Sequence, residues 1–176
     1  MHAVIALAIK GVVLIHEDAD TEFERALEIR YLDLLRLAVL IAGDVAEGQD
    51  ALQSALERCW RARNQLVDPT RLDAWLRRIV VREVVRRQTS PWRRLVRPAT
   101  PVDLSRLLAS GTDPGPGLDV IGALARLPVS QRAAVVLHHY AGYSVDEVAT
   151  IVAAPAETVR SRLRLAMARL RSELAR

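Results

Sequence analysis

Lysine is almost missing from this 176-residue chain: Lys10 is the only one, although basic residues number 25 against 21 acidic ones. The positive charge is therefore carried by arginine. A guanidinium is planar, always charged and able to grip phosphate or guanine in bidentate fashion, so this excess fits nucleic acid better than mere solubility. GC-rich codons also favour Arg and Ala, and the two explanations are compatible. The net charge is +4 and the pI about 10.0. The single cysteine, Cys59, excludes an internal disulfide, and four scattered histidines offer no zinc-ligand spacing, which makes the cytoplasm the default compartment. His138 and His139 are adjacent, so they are expected on different helix faces and cannot chelate together. Aromatics make up only 4% of the chain and no segment is rich in β-formers, while 51% of residues are hydrophobic, enough for a packed core. The apolar stretch Ala3 to Ile15 contains Lys10, is too short to span a bilayer, and lacks the basic start and small-residue cleavage pattern of a signal peptide. No glycine-rich phosphate loop or nucleophile motif is present, which excludes the common catalytic classes.

What remains is helical periodicity. Thr21 with Glu24 reads as a capping box, and Leu27, Tyr31, Leu34, Leu35, Ala38 and Ile41 form the apolar stripe of a first helix ending at Gly43. Asp44 with Glu47 starts a second, carrying Ala51, Leu52, Ala55, Leu56 and Cys59 to about Arg63. Asp68 and Pro69 open a third, which directs Leu72, Leu76, Ile79, Val80 and Val84 to a core and stops at Ser90-Pro91. Composition then shifts to Pro, Gly, Ser, Thr and Asp between Arg97 and Leu118, as in a flexible linker. Beyond it, Leu127-Pro128 leads into a helix starting near Ser130 and ended by Gly142. Ser144 with Glu147 caps the next helix, and Pro155 begins the last.

Ser144 to Leu163 has the layout of a helix-turn-helix, in which the second helix is the reader. Val159, Leu163, Ala166, Leu170 and Leu174 share its apolar face. Thr158, Arg160, Ser161, Arg162 and Arg164 cluster near its start, where arginines can fork onto guanine or phosphate and short hydroxyl side chains permit close approach. LeuProValSerGlnArg at 127 to 132, Tyr140, Gly142, Ser144, GluValAla at 147 to 149 and ThrValArgSerArgLeu at 158 to 163 together resemble region 4 of bacterial sigma factors. That resemblance implies recognition of the −35 promoter element, with Pro155 and Glu157 joining the five residues above. Two departures are Ala153, where the family usually has the turn glycine, and Glu157, where a glycine commonly precedes the Thr.

The N-terminal helices resemble region 2 of the same family, which grips the polymerase and opens the −10 element. Asp50, Gln53, Leu56 and Trp60 match the family's Asp-x-x-Gln helix ending in Trp. The resemblance makes Asp50, Gln53 and Glu57 core-polymerase contacts. In the third helix Arg71, Arg78, Arg82 and Arg86 recur at helical steps, and a basic stripe with an aromatic is a single-strand DNA signature, charge following the backbone while a ring stacks on an unpaired base. TrpLeuArgArgIleValVal from 75 to 81 resembles the family's promoter-melting helix. Trp75 reads as a core ring, and Trp92, beside Arg93 and Arg94, as the exposed one. The family usually has an Asn near 82 and an Asp near 86, and this chain has arginine at both.

The expectation is an all-α chain of two small helical domains joined by a flexible linker: residues 1–18 an N-terminal extension of unassigned role, 19–96 like sigma region 2, 97–118 the linker, and 119–176 like region 4. With only these two regions, the resemblance is to the extracytoplasmic-function (ECF) group. It implies a sigma factor, not an enzyme, working with core RNA polymerase and promoter DNA, commonly under an anti-sigma factor, without cofactor, small-molecule substrate or membrane insertion. The runner-up reading is a helix-turn-helix regulator that has lost sigma activity, motivated by Arg82 and Arg86. A third is an interaction protein whose arginine faces bind an acidic partner.

Overall fold

Capping chemistry sets several helix boundaries in the computed structural model, which describes residues 17–66, 68–90 and 117–175. Every regular element among the described residues is helical, and none of these helices is long and apolar enough to cross a membrane. α1 spans Glu17–Ala42 and ends at Gly43, whose φ of 72° lets its N–H reach the Val39 carbonyl at 2.8 Å. The helix starts before Thr21, so the Thr21/Glu24 pair lies inside it and is not its cap. The sequence ahead of Thr21 is acidic, which suits the positive end of a helix and favours the longer start. Asp44 accepts from the Glu47 amide at 2.9 Å and opens α2, Val45–Ala62. Two 3-10 turns, Arg63–Gln65 and Pro69–Arg71, lead into α3, Leu72–Thr89.

α1, α2 and α3 pack on one another as a three-helix unit. Leu76, Val80 and Val84 are buried as expected, and so is Val81 on the adjoining flank. α1 and α2 approach closely at Gly48: a Cβ there would lie 2.5 Å from Val39 Cγ2 and 2.6 Å from Val39 Cα.

The second unit holds α4 (Gly117–Arg126), α5 (Val129–Val135) continued by a π turn over Val136–Tyr140, α6 (Val145–Val152) and α7 (Ala156–Leu174). α4 has no counterpart among the expected helices. Its glycines weaken the local signal, and packing of Ala123 and Leu127 with Val135, Ala166 and Leu170 stabilises it instead. Gly117 and Leu118 belong to α4, and the rest of the linker assigned to 97–118 lies outside the described residues.

The two units are docked against each other. One buried cluster runs from Leu34, Ile41, Leu52 and Val80 in the first to Leu137, Val148, Ile151 and Val159 in the second. α1 shows why. Leu37, Ala38, Val39, Leu40, Ile41 and Ala42 are consecutive and all no more than 5% exposed. A helix end buried on every side is apolar all round because neighbours surround it, and α1 touches α4 and α5 as well as α2 and α3.

Candidate nucleic-acid interface

The helix-turn-helix is built as its sequence suggests. Ser144 and Glu147 close a complete capping box: the Ser144 amide donates to Glu147 Oε2 at 2.8 Å, and the Glu147 amide donates to Ser144 Oγ at 3.3 Å. The Ser144 hydroxyl, which donates to the same Oε2 at 2.8 Å, and the Ser144 amide together hold the Glu147 carboxyl below its ordinary range. The turn passes through Ala153 in the left-handed region, φ 53° and ψ 53°, the one non-glycine positive φ among the described residues. This is the position where a glycine was expected from the family pattern, so the backbone conformation is kept although the side chain is not.

α7 buries Val159, Ala166 and Leu170 and half-buries Leu163, whereas Leu174 is 47% exposed and leaves the apolar face at its end. Its first turns face outward. Pro155, Glu157, Arg160 and Arg164 are exposed, and Thr158, Ser161 and Arg162 are half-buried beside them. Arg160 Nη1 reaches Glu157 Oε2 at 3.2 Å. Among the described residues, Arg162 and Arg164 have no side-chain partner.

On α2, Asp50 and Gln53 are exposed and Glu57 half-exposed, at the three- and four-residue steps that place them on one face. Asp50 Oδ2 accepts from Arg87 Nη2 at 3.3 Å, and Glu57 pairs with Arg61 at 3.2 Å. The basic stripe is more engaged than its spacing suggests. Arg71 sits in the 3-10 turn ahead of α3, 3.2 Å from Asp68 and largely exposed. Arg78 Nε is buried without a hydrogen-bond partner among the described residues. Arg82 donates from Nε to the Ile151 carbonyl at 3.0 Å and from Nη2 to the Thr150 carbonyl at 3.2 Å, at the end of α6. Arg86 clasps Glu83. Trp75 is half-buried and edge-on to Phe23, with ring centroids 6.4 Å apart, a core ring as expected. Trp92 lies outside the described residues.

Two residues that sequence reasoning passed over are central. Glu83 is 1% exposed between Arg86 and Arg58. Burial by itself raises its pKa, and the Arg86 hydrogen bond with the charges of Arg58, Arg86 and Arg87 more than reverses this, leaving it below the ordinary carboxylate value. Arg132 is 4% exposed and donates to four main-chain carbonyls: Nε to Ile41 at 2.6 Å, Nη2 to Ala42 at 2.7 Å, and Nη1 to Ala125 at 2.7 Å and Leu127 at 3.2 Å. The two histidines differ in exposure, His138 half-buried and His139 exposed. The π turn brings their rings together edge to face at 4.8 Å, with His138 Nδ1 2.6 Å from the Tyr143 carbonyl. Among the described residues, no three His, Cys, Asp or Glu side chains gather as a metal site. An apolar cleft of about 680 Å³ opens between α1, α4, the π turn and α7, lined by Leu40, Ile121, Leu124, Met167 and Leu170 with Arg36 and Arg171 among its charged residues.

Comparison with known proteins covers both units. The family model for sigma-70, region 4 matches residues 118–170. The RNA polymerase sigma-E factor of Streptomyces coelicolor is 34% identical over 161 residues, spanning 87% of this chain and 86% of its own length. The ECF RNA polymerase sigma factor SigM of Mycobacterium tuberculosis is 33% identical over 149 residues, spanning 84% of this chain and 74% of its own. Among solved structures, the Bartonella quintana sigma factor RpoE in complex with the anti-sigma factor NepR has a similar fold, with a TM-score of 0.67 at 23% identity over 88% of this chain and 97% of that one. CnrH in complex with the cytosolic domain of CnrY gives a TM-score of 0.60 at 21% identity over 98% and 96%. With identities above 30% running through both helical units, the chain belongs to the sigma-70 family of RNA polymerase sigma factors, in its ECF group.

Proposed function

We propose that this sigma factor directs promoter-specific transcription initiation through three separate surfaces. Pro155, Glu157, Thr158, Arg160, Ser161, Arg162 and Arg164 at the start of α7 read the −35 element. Arg71, Arg78, Arg82, Arg86 and Trp92 engage and melt the −10 element. Asp50, Gln53 and Glu57 on α2 hold the core polymerase. The protein works in the cytoplasm, performs no covalent chemistry of its own, and needs no cofactor or small-molecule substrate. An anti-sigma factor is its expected regulator, as in the Bartonella quintana complex of similar fold.

The observation that carries this reading is that the curated relatives match across both units, not over the helix-turn-helix alone. A regulator that had kept only its DNA-reading end has no need of the α2 face. Run-off transcription with purified bacterial core polymerase tests it, with Asp50→Ala, Gln53→Ala as the control protein. Discrete transcripts that need the wild-type chain and vanish with the double variant support the assignment. DNA binding without any transcript would replace it with the regulator reading.

A further inference from the structure

Each helical unit places one arginine on a helix end of the other. Arg82 of α3 donates to the carbonyls of Thr150 and Ile151 in the last turn of α6. Arg132 of α5 donates to the carbonyls of Ile41 and Ala42 in the last turn of α1. A helix leaves its last carbonyls without intrahelical donors and concentrates negative potential there, so a guanidinium satisfies both hydrogen bonding and charge. Both helix ends are closed by a left-handed residue, Gly43 after α1 and Ala153 after α6, which turns the chain aside and leaves those carbonyls open to a partner. The fit at α1 is tight: a Cβ on Gly43 would lie 2.8 Å from Arg132 Nη1. A third contact sits nearby, where the Arg77 guanidinium lies 5.9 Å from the centre of the Tyr143 ring.

We infer that Arg82 and Arg132 form a two-point latch that holds the free protein closed, with the helix-turn-helix seated on the α3 face that faces the promoter. The inference that closure restrains DNA binding rests on the sigma-factor reading above, whereas the latch itself rests on geometry alone. Clasping α6 occupies the Nε–Nη2 edge of the Arg82 guanidinium, so a bidentate phosphate contact through that edge competes with the clasp. This gives the arginine at 82 a task inside the free protein. Opening exposes Val148 and Ile151 of α6, both buried in the shared cluster, and leaves the Ile41, Ala42, Thr150 and Ile151 carbonyls to water. The closed form is therefore the resting one, and a partner that binds the separated units draws the protein open by differential affinity.

Spin labels at Glu28→Cys in α1 and Ser172→Cys in α7, both exposed positions, report the separation of the units in the full chain by pulsed electron resonance, the native Cys59 being buried. Expected is one narrow distance for the labelled protein, and a longer, broad distribution when Arg82→Ala and Arg132→Ala are added together. Arg82→Ala alone is expected to raise the open fraction about tenfold, as for loss of a charge-assisted pair of hydrogen bonds. Arg82 is exposed, so this single variant keeps its cores and decides the matter even where Arg132→Ala fails to fold. A broad distribution before mutation, or an unchanged narrow one after it, overturns the latch. Adding core polymerase then separates the two readings. Binding with lengthening of the distance supports restraint by closure, and binding without lengthening overturns it. Failure to bind at all counts against the sigma reading, while the distances measured in the free protein still decide for or against the latch.

Discussion

Arg86 grips Glu83 with both arms of its guanidinium one helical turn away, Nη2 to Oε1 at 2.5 Å and Nε to Oε2 at 3.1 Å, while Arg58 from α2 reaches the same carboxylate at 3.3 Å. A 1% exposed acid on the inner side of α3 is thus tied to two arginines that keep half of their own surface in water. Removing an arginine leaves a buried charge short of a partner, which is more costly than removing the acid. Arg86→Ala is expected to lower stability by about 2 kcal/mol, below the usual range for an isolated buried pair because Arg58 remains, and Glu83→Gln by less. The sign with pH follows from the lowered folded-state pKa. The stabilisation is complete above the ordinary value of 4.5 and is lost as pH falls through the folded value. Urea midpoints at pH 7 and pH 4 check it: wild type must lose more stability between them than Glu83→Gln does.

Gly48 reverses the usual helix preference. Alanine in a helix interior is favoured by about 1 kcal/mol over glycine, yet a Cβ here would sit 2.6 Å from the Cα of Val39. Gly48→Ala is expected to destabilise by about 1–3 kcal/mol, the range for overpacking. Adding Val39→Ala does not rescue it, because the backbone contact stays. A stabilised Gly48→Ala protein would show that α1 and α2 separate easily.

Ala153 adopts φ 53°, a conformation that strains any residue with a Cβ by about 1 kcal/mol. Ala153→Gly is expected to raise the unfolding free energy by up to that amount, with the −35 DNA affinity unchanged because the turn already has glycine's shape. A lower urea midpoint in the variant counts against strain at this turn.

Arg160 and Arg162 are tested by binding to a promoter duplex and to scrambled DNA. A base-edge contact replaced by Ala costs about 1–3 kcal/mol and relaxes preference at one position, whereas a phosphate contact weakens all sequences alike and lowers the salt dependence. Wild-type binding by both variants removes them from the interface.

Cys59 is fully buried on α2, and desolvation pushes its thiol up to about 12, its own backbone hydrogen bond opposing this weakly. The thiolate is the reactive form, so a thiol reagent at neutral pH is expected to label the native chain only at the rate of opening, and promptly in urea. Fast native labelling would place Cys59 outside the core.

Signals carried within a few residues were legible in the chain. Asp44 and Ser144 act on their own helix and appear as the sequence suggests, whereas Asp68-Pro69 caps a 3-10 turn and α3 follows from Leu72. Thr21 misled because the same local pattern occurs inside α1, where an acidic stretch ahead of it extends the helix. α4 was hidden because its stability comes from α7 and not from its own residues. The helix-turn-helix site was readable from Ser144 to Arg164 since its face is set by helical spacing. The tasks of Arg82 and Arg132 were not, for their acceptors lie 69 and 91 residues away in sequence and belong to no side chain.

Main-chain acceptors limit how the docking can vary between related chains. Because Arg82 and Arg132 donate to peptide oxygens of the other unit, substitutions at 41, 42, 150 or 151 that preserve the helix ends leave these acceptors in place. These two clasps are tuned from the donor side, and so a single arginine codon on either unit is enough to loosen the junction.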